Sequence, residues 1–351
     1  MNDCLFFGYF STIFLFKNGK AIEYLNENDS KQNPSKIQIE NIQKVSVGSG
    51  NVAILTKERN VFAKGKDINP NNPNEFMNIS SLIEDTNDRI IEDIICSRSS
   101  IYLLTLNQNV YGIGSNQFGQ LGFDSETLEK TEKPILMMKN VSKIFSGISS
   151  DHVFLLNSNQ ELFGCGRNVS GQLGLGESRK EEEIQKLTKI QNIPKGKIID
   201  IQCGNWYSIM LIENENENEN ENPKRKLYSC GYHRYNGLRK YYNIQEFTEI
   251  ESPLFENDDN ILDFSVGYMH TLILTSKGKL IGFGNNFFGQ LGNENMGIMG
   301  EDVKNHFQVN LPKLRFNEDI SNYHISCGFQ KSFLYYSPSF SNLEEDLIKS
   351  I

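Results

Sequence analysis

The chain has 351 residues, is 38% hydrophobic and carries a net charge of −9 with a pI near 5.3. Lysine and arginine are outnumbered 35 to 44, which argues against a dedicated nucleic-acid binder, since phosphate neutralisation supplies most of that affinity. The 28 glycines and 23 phenylalanines fit an all-β chain with many turns better than a helical bundle.

In chain order, the first element is LFFGYFSTIFLF at 5–16. Its apolar character suggests a leader, but Asp3 stands where a basic segment belongs and polar residues interrupt the run. It is also far too short to span a bilayer. It is read instead as a divergent repeat, because Leu25 follows Gly8 at the interval that separates Gly65 from Gly48 and Gly284 from Gly267.

Each following unit repeats one plan: a short apolar run, an anchor, a second apolar run, a turn, and a third run ending in Gly-x-Gly. VSVGSGNVAILTKERNVFAKG is anchored at Gly48, and CSRSSIYLLTLNQNVYGIG at Ser97. FSGISSDHVFLLNSNQELFGCG is anchored at Gly147, and QCGNWYSIMLI at Gly204. FSVGYMHTLILTSKGKLIGFG follows at Gly267 and ISCGFQKSFLYY at Gly328. Runs of four to six residues rich in Val, Ile, Phe and Tyr between turn signals read as strands. SKGK and KNGK read as hairpin turns in which Gly supplies a positive φ.

Three units continue into an eight-residue motif: SNQFGQLG at 115–122, RNVSGQLG at 167–174 and NNFFGQLG at 285–292. The spacing is neither a dinucleotide fingerprint nor a P-loop, and a nucleotide site is needed once rather than three times. The motif is therefore read as structural, comprising Gly114, Gly119, Gln120, Leu121 and Gly122 in the first copy. The second copy gives Gly166, Gly171, Gln172, Leu173 and Gly174, and the third Gly284, Gly289, Gln290, Leu291 and Gly292. No cofactor is expected.

Seven anchors, each starting three or four strands, describe a β-propeller. A Trp-Asp repeat is excluded because the sole tryptophan, Trp206, precedes Tyr207, and a kelch repeat because no Gly-Gly occurs. The segments VGYMHTLILTSKGKLIGFGNNFFGQLG and HVFLLNSNQELFGCGRNVSGQLGLG resemble the repeats of the regulator of chromosome condensation. The likeness is strongest at 109–122, 161–176 and 266–292 and covers essentially the whole chain. It implies one all-β propeller over 1–340, with seven blades of mostly four antiparallel strands, the last one incomplete as the alternative. The Glu/Asn run within 213–226 is expected to be a disordered insertion, and 341–351 a short acidic tail.

The chemistry-bearing residues do not assemble a reaction. The six cysteines contain no C-x-x-C pair and alternate with large apolar residues, so no metal site is expected. SSDH at 149–152 places Ser, Asp and His side by side, whereas a triad needs them from converging segments. The unit anchored at Gly204 has YHRYNGLR where the others carry GQLG. Its Trp206, Tyr207, His233, Arg234, Tyr235 and Arg239 form the candidate partner-binding set, in the composition of an interface hot spot. The long stretches 66–93, 177–198, 213–226, 243–260 and 293–322 are expected to crowd the opposite face, leaving the GQLG face trimmer.

The expected function is a non-enzymatic, regulatory protein-interaction module, monomeric, cytoplasmic or alternatively nuclear, with a protein partner and neither nucleic acid nor membrane. The resemblance implies one alternative, nucleotide exchange on a small Ran-like GTPase. In the founding member a wedge from the propeller releases nucleotide, and no residues of this chain match that wedge. The family's light-sensing variant uses clustered tryptophans, which a chain with Trp206 alone cannot supply.

Overall fold

A computed structural model describes residues 4–7, 11–15, 18–25, 35–177, 181–214, 223–256, 259–292, 302–309, 323–329 and 331–336. The anchor Gly8, the centre of the 213–226 insertion and the 341–351 tail lie outside the described residues. Two compact units are formed. One comprises Met1–Gly166 with Ile184–Thr188 and Tyr336–Ile351, and the other Arg167–Glu183 with Lys189–Tyr335.

The strands of the first unit form four-stranded antiparallel meanders. The first sheet holds β1 (Cys4–Phe7), β2 (Ser11–Leu15), β3 (Ala21–Leu25) and β4 (Ser35–Lys36). The second holds β5 (Ile42–Val47), β6 (Asn51–Thr56), β7 (Val61–Gly65) and β8 (Met77–Asn78). The third holds β9 (Ile91–Cys96), β10 (Ser100–Thr105), β11 (Val110–Ser115) and β12 (Lys130–Met138). A fourth sheet of β13 (Val141–Phe145), β14 (His152–Asn157), β15 (Leu162–Arg167) and β16 (Glu183–Lys189) has the same order.

The second unit holds the fifth sheet, β17 (Lys197–Cys203), β18 (Tyr207–Glu213), β19 (Arg225–Gly231) and β20 (Ile244–Glu249). The sixth is β21 (Ile261–Val266), β22 (His270–Thr275), β23 (Leu280–Asn285) and β24 (Asp302–Gln308). Last come β25 (Tyr323–Cys327) and β26 (Ser332–Tyr336), which pair only with each other. The seven blades that the anchor spacing predicts are thus corrected to six. The unit at Gly328 supplies two strands, and the residues beyond Tyr336 lie outside the described ones.

Second strands such as NVAILT, SIYLLT and HTLILT are buried along their whole length. That pattern requires packing on both faces, which is why these runs are continuously apolar rather than alternating. First strands are covered less evenly; β5 buries Ile42, Val45 and Val47 and leaves the residues between them half-buried. Within each unit, cores lie between consecutive sheets. Leu55, Ala63, Ile94 and Ile113 share one cluster, and Leu211, Leu227, Phe264 and Ile281 another. Each fully buried aliphatic side chain of this kind contributes about 1.5–3 kcal/mol.

Five of the second-to-third hairpins share one positive-φ turn whatever their sequence. Gly19 and Gly278 take its positive φ, as the sequence predicts, but Arg59 (68°), Gln108 (62°) and Gln160 (61°) adopt it too. Helix is confined, among the described residues, to single 3-10 turns at Ser80–Leu82 and Thr86–Asp88. Asp88 pins the latter onto the third sheet by accepting from Asn107 Nδ2, Asn109 Nδ2 and Tyr111 OH at 3.0, 2.8 and 2.7 Å.

The fourth strands correct the loop expectation. The stretches 66–93, 177–198, 243–260 and 293–322 enclose β8, β16, β20 and β24, so they are not single connections. The long segments 66–76, 116–129, 168–182, 232–243 and 286–301 join third to fourth strands, at the GQLG end. At the third and fourth sheets that end carries the longer connections, so the GQLG end is not uniformly the trimmer one.

Candidate functional site: the loop end of the fifth and sixth sheets

The GQLG motif builds a double turn. Asn286 O accepts from Gly289 N at 3.1 Å and Gly289 O accepts from Gly292 N at 2.9 Å. Asn286 Oδ1 accepts from Leu291 N at 2.9 Å, and Gln290 Oε1 from Phe288 N at 2.9 Å. Asn116 with Gln120 and Asn168 with Gln172 make the same pairs of bonds in their own copies. Leu121, Leu173 and Leu291 are buried beneath. Sequence reasoning missed the asparagine, although it recurs three residues before the motif glycine in every copy.

The first two of these turns are fastened to the following sheet. Gln172 O accepts from Ser208 Oγ at 2.8 Å and from Cys230 Sγ at 3.3 Å, so the cysteine works as a buried donor. Cys165 donates to Gln120 O in the same way at 3.6 Å. Burial pushes the Cys96 thiol up to about 12 and the Cys327 thiol to about 11, so both stay protonated and inert. Because Leu291 N loses a buried acceptor, Asn286→Ala is expected to cost about 1–2 kcal/mol, read as a lower urea midpoint at unchanged m-value.

The SSDH string holds no reactive centre. Ser150 and His152 are fully buried and bonded to each other, Oγ to Nδ1, at 2.9 Å, while Asp151 pairs with Arg98 at 3.5 Å. Among the described residues no group of His, Cys, Asp and Glu is placed to hold a metal ion.

The candidate partner-binding residues divide in two. Tyr207 and Tyr235 are corrected to core positions. Tyr207 opens β18 and is fully buried, its OH bonded to His270 O at 2.9 Å and to Thr271 Oγ1 at 3.0 Å. Tyr235 is buried against it, ring centroids 6.3 Å apart. Trp206 and His233 are half-buried, and Arg234 and Arg239 are exposed. Trp206 stands edge-on to Tyr232 at 5.6 Å, and His233 Nδ1 lies 3.1 Å from Asn243 Oδ1.

The largest exposed side chains at this end were not among the sequence candidates. Tyr241 and Tyr242 are 84% and 64% exposed, and Phe287 and Phe288 are 55% and 56% exposed. Their supporting loops are held firmly. His306 Nε2 bonds to Gly237 O at 2.7 Å, and Asn236 Nδ2 to Gly231 O at 3.1 Å. Successive anchor loops are joined by Asn205 N to Tyr268 O and Tyr268 N to Gly328 O, at 3.0 and 3.1 Å. The arrangement offers preorganised aromatic and cationic contacts.

Comparison with solved structures shows the fold to be a β-propeller. Human WBSCR16 superposes with a TM-score of 0.73 at 18% identity, over 94% of this chain and 85% of that one. Prp20p from Saccharomyces cerevisiae, whose structure was reported with its binding properties to Gsp1p and histones, also scores 0.73, at 17% identity over 99% and 85%. The regulator of chromosome condensation (RCC1) repeat models match residues 159–211 and 261–290. The chain thus carries RCC1 repeats.

Among curated relatives, the ultraviolet-B receptor UVR8 of Arabidopsis thaliana is 25% identical over 240 residues, 68% of this chain and 49% of that protein. An RCC1 repeat-containing protein of Schizosaccharomyces pombe is 26% identical over 188 residues, 51% of this chain and 50% of that one. The chain spans about half of each of these relatives.

Proposed function

We propose that the protein is a non-enzymatic regulatory module, cytoplasmic or nuclear, that binds another protein through the loop end of its fifth and sixth sheets. One observation carries the reading: Tyr241, Tyr242, Phe287 and Phe288 stand more than half exposed on loops fixed by hydrogen bonds. A soluble fold gains nothing from aromatic rings left in water, whereas large rings on rigid tips lose little entropy on contact.

A photo-reactive phenylalanine analogue placed at Tyr242 in the intact protein is expected to give a discrete protein adduct in cells. The same analogue at Leu106, 58% exposed in the β10–β11 hairpin at the other end of its sheet, is expected to give none. Equal, diffuse labelling from both positions defeats the reading.

The likeness to Prp20p, which binds Gsp1p, supports a second reading, nucleotide exchange on a small GTPase. It is tested by release of fluorescent GDP from a panel of loaded Ran, Rab and Rho proteins. No acceleration above the intrinsic rate removes it and leaves the interaction module intact.

A further inference from the structure

The charge of the 232–243 loop is opposite to that of the chain. At a net charge of −9 an average surface patch is acidic. The loop 232–243 nevertheless carries Arg234, Arg239 and Lys240 and no Asp or Glu, and Lys331 stands in 328–331, while Glu294 and Glu301 fall farther along the 286–301 connection. First-to-second and third-to-fourth loops of a meander emerge at one end of the sheet, and the backbone confirms it. Tyr232 N bonds to Trp206 O at 2.8 Å, and Asn285 N to Met269 O at 2.7 Å. One end of the second unit therefore combines all these cations with the exposed aromatic side chains. Beneath the tips lie the half-buried pairs Trp206–Tyr232 and Tyr268–Phe329, the latter stacked at 4.3 Å.

We infer that this end receives an acidic segment of a partner protein with aromatic or aliphatic anchors, its carboxylates meeting Arg234, Arg239 and Lys240 and its anchors packing on Tyr241, Tyr242, Phe287 and Phe288. The inference rests on the interaction reading above and adds the chemistry of the partner. Complementary charge steers the encounter and excludes basic partners, while the rings supply desolvated contact area. A guanidinium also presents a planar fork that fits the two oxygens of a carboxylate and stacks on aromatic rings. Single-stranded nucleic acid shares the taste for rings and cations, but it needs a basic groove that tracks many phosphates. Four cations on an acidic chain do not build one.

The test uses the full-length protein and fluorescein-labelled dodecapeptides read by anisotropy: an Asp/Glu peptide bearing two phenylalanines, its Ser/Asn counterpart, its Lys/Arg counterpart, and oligo(dT). The acidic peptide is expected to bind at least about tenfold more tightly than the others and to weaken as salt rises. The pair Arg234→Glu/Lys240→Glu is expected to weaken it by about tenfold or more. Tyr241→Ser/Tyr242→Ser is expected to weaken it comparably at unchanged melting temperature, because both rings are exposed. Equal binding of the Ser/Asn peptide, preference for oligo(dT), or self-association abolished by the same substitutions overturns the inference. If the Tyr242 adduct persists while the acidic peptide shows no preference, the partner class is wrong and the interaction module stands.

Discussion

Gly284→Ala is expected to destabilise the protein by about 3–5 kcal/mol, while Gly289→Ala, five residues on, costs only about 1–2 kcal/mol. Both glycines have positive φ, 102° and 74°, so both substitutions incur the strain of a left-handed backbone. They differ in what a side chain meets. At Gly284, which pairs with His270, a Cβ runs into Met269 O and lies 2.9 Å from His270 Cα. Those are backbone atoms of the adjacent strand, and only displacing β22 relieves the clash. At Gly289 a Cβ meets nothing within 4 Å. Gly114 and Gly166 repeat the first situation against Ser99 O and Asp151 O. Urea denaturation of the two variants decides the point, and equal losses contradict the assignment of Gly-x-Gly to the closure of the sheet.

Acid is expected to destabilise the fold well before its carboxylates titrate. Burial holds the His152 imidazole down to about 3 and those of His270 and His306 down to about 4, so all three are neutral in the native state. Unfolded, they titrate near 6.5, so below that pH the unfolded chain binds more protons and stability falls with pH. The stabilisation is complete above pH 6.5 and is lost progressively down to about pH 4 for His270 and His306 and about pH 3 for His152. Between pH 7 and 5 each fully buried histidine gives up about 2 kcal/mol, less at the partly exposed His306, on the order of 4–5 kcal/mol together.

Two carboxylates bound this window. Burial raises Asp88, but the hydrogen bonds from Tyr111, Asn109 and Asn107 prevail and hold it below the usual carboxylate range, so its loss comes at lower pH. Asp263 is pushed up by burial, and its protonation relieves a buried charge, which opposes the trend. Unfolding free energies measured at pH 7 and 5 test the account. His270→Asn is expected to remove about 2 kcal/mol of the difference, and an unchanged difference contradicts it.

The first three strands of each sheet were legible because their burial forces continuous runs such as HTLILT and because Gly-x-Gly marks where the third strand ends. The fourth strands were not. β8 is two half-buried residues, Met77 and Asn78, and β16 mixes Glu, Gln, Lys and Thr with one buried isoleucine, so neither shows an apolar pattern. The hairpin turns at Arg59, Gln108 and Gln160 were invisible for a related reason, since strand pairing on both sides imposes a φ that those residues do not favour.

For the site, the repeat itself held the missing information. Tyr207 falls where Asn51, Ser100, His152 and His270 fall, at the start of a second strand, and every one of these is buried. Tyr241 and Tyr242 stood just beyond YHRYNGLR, and Phe287 with Phe288 sat inside a motif read as structural throughout. In the 285–292 copy Phe287 and Phe288 stand exposed on the double turn while Asn286 and Leu291 point in.

The central claim is a division of labour: the motif residues hold the turns, and the aromatic tips are left for a partner. Thermal denaturation of Tyr241→Ser/Tyr242→Ser/Phe287→Ser/Phe288→Ser beside Asn286→Ala tests it most directly. The account predicts that the fourfold variant melts with the wild type, within about 0.5 kcal/mol in total, while the single asparagine change lowers the melting temperature. A fourfold variant that melts below Asn286→Ala would make the rings part of the fold and remove the surface on which the proposed function stands.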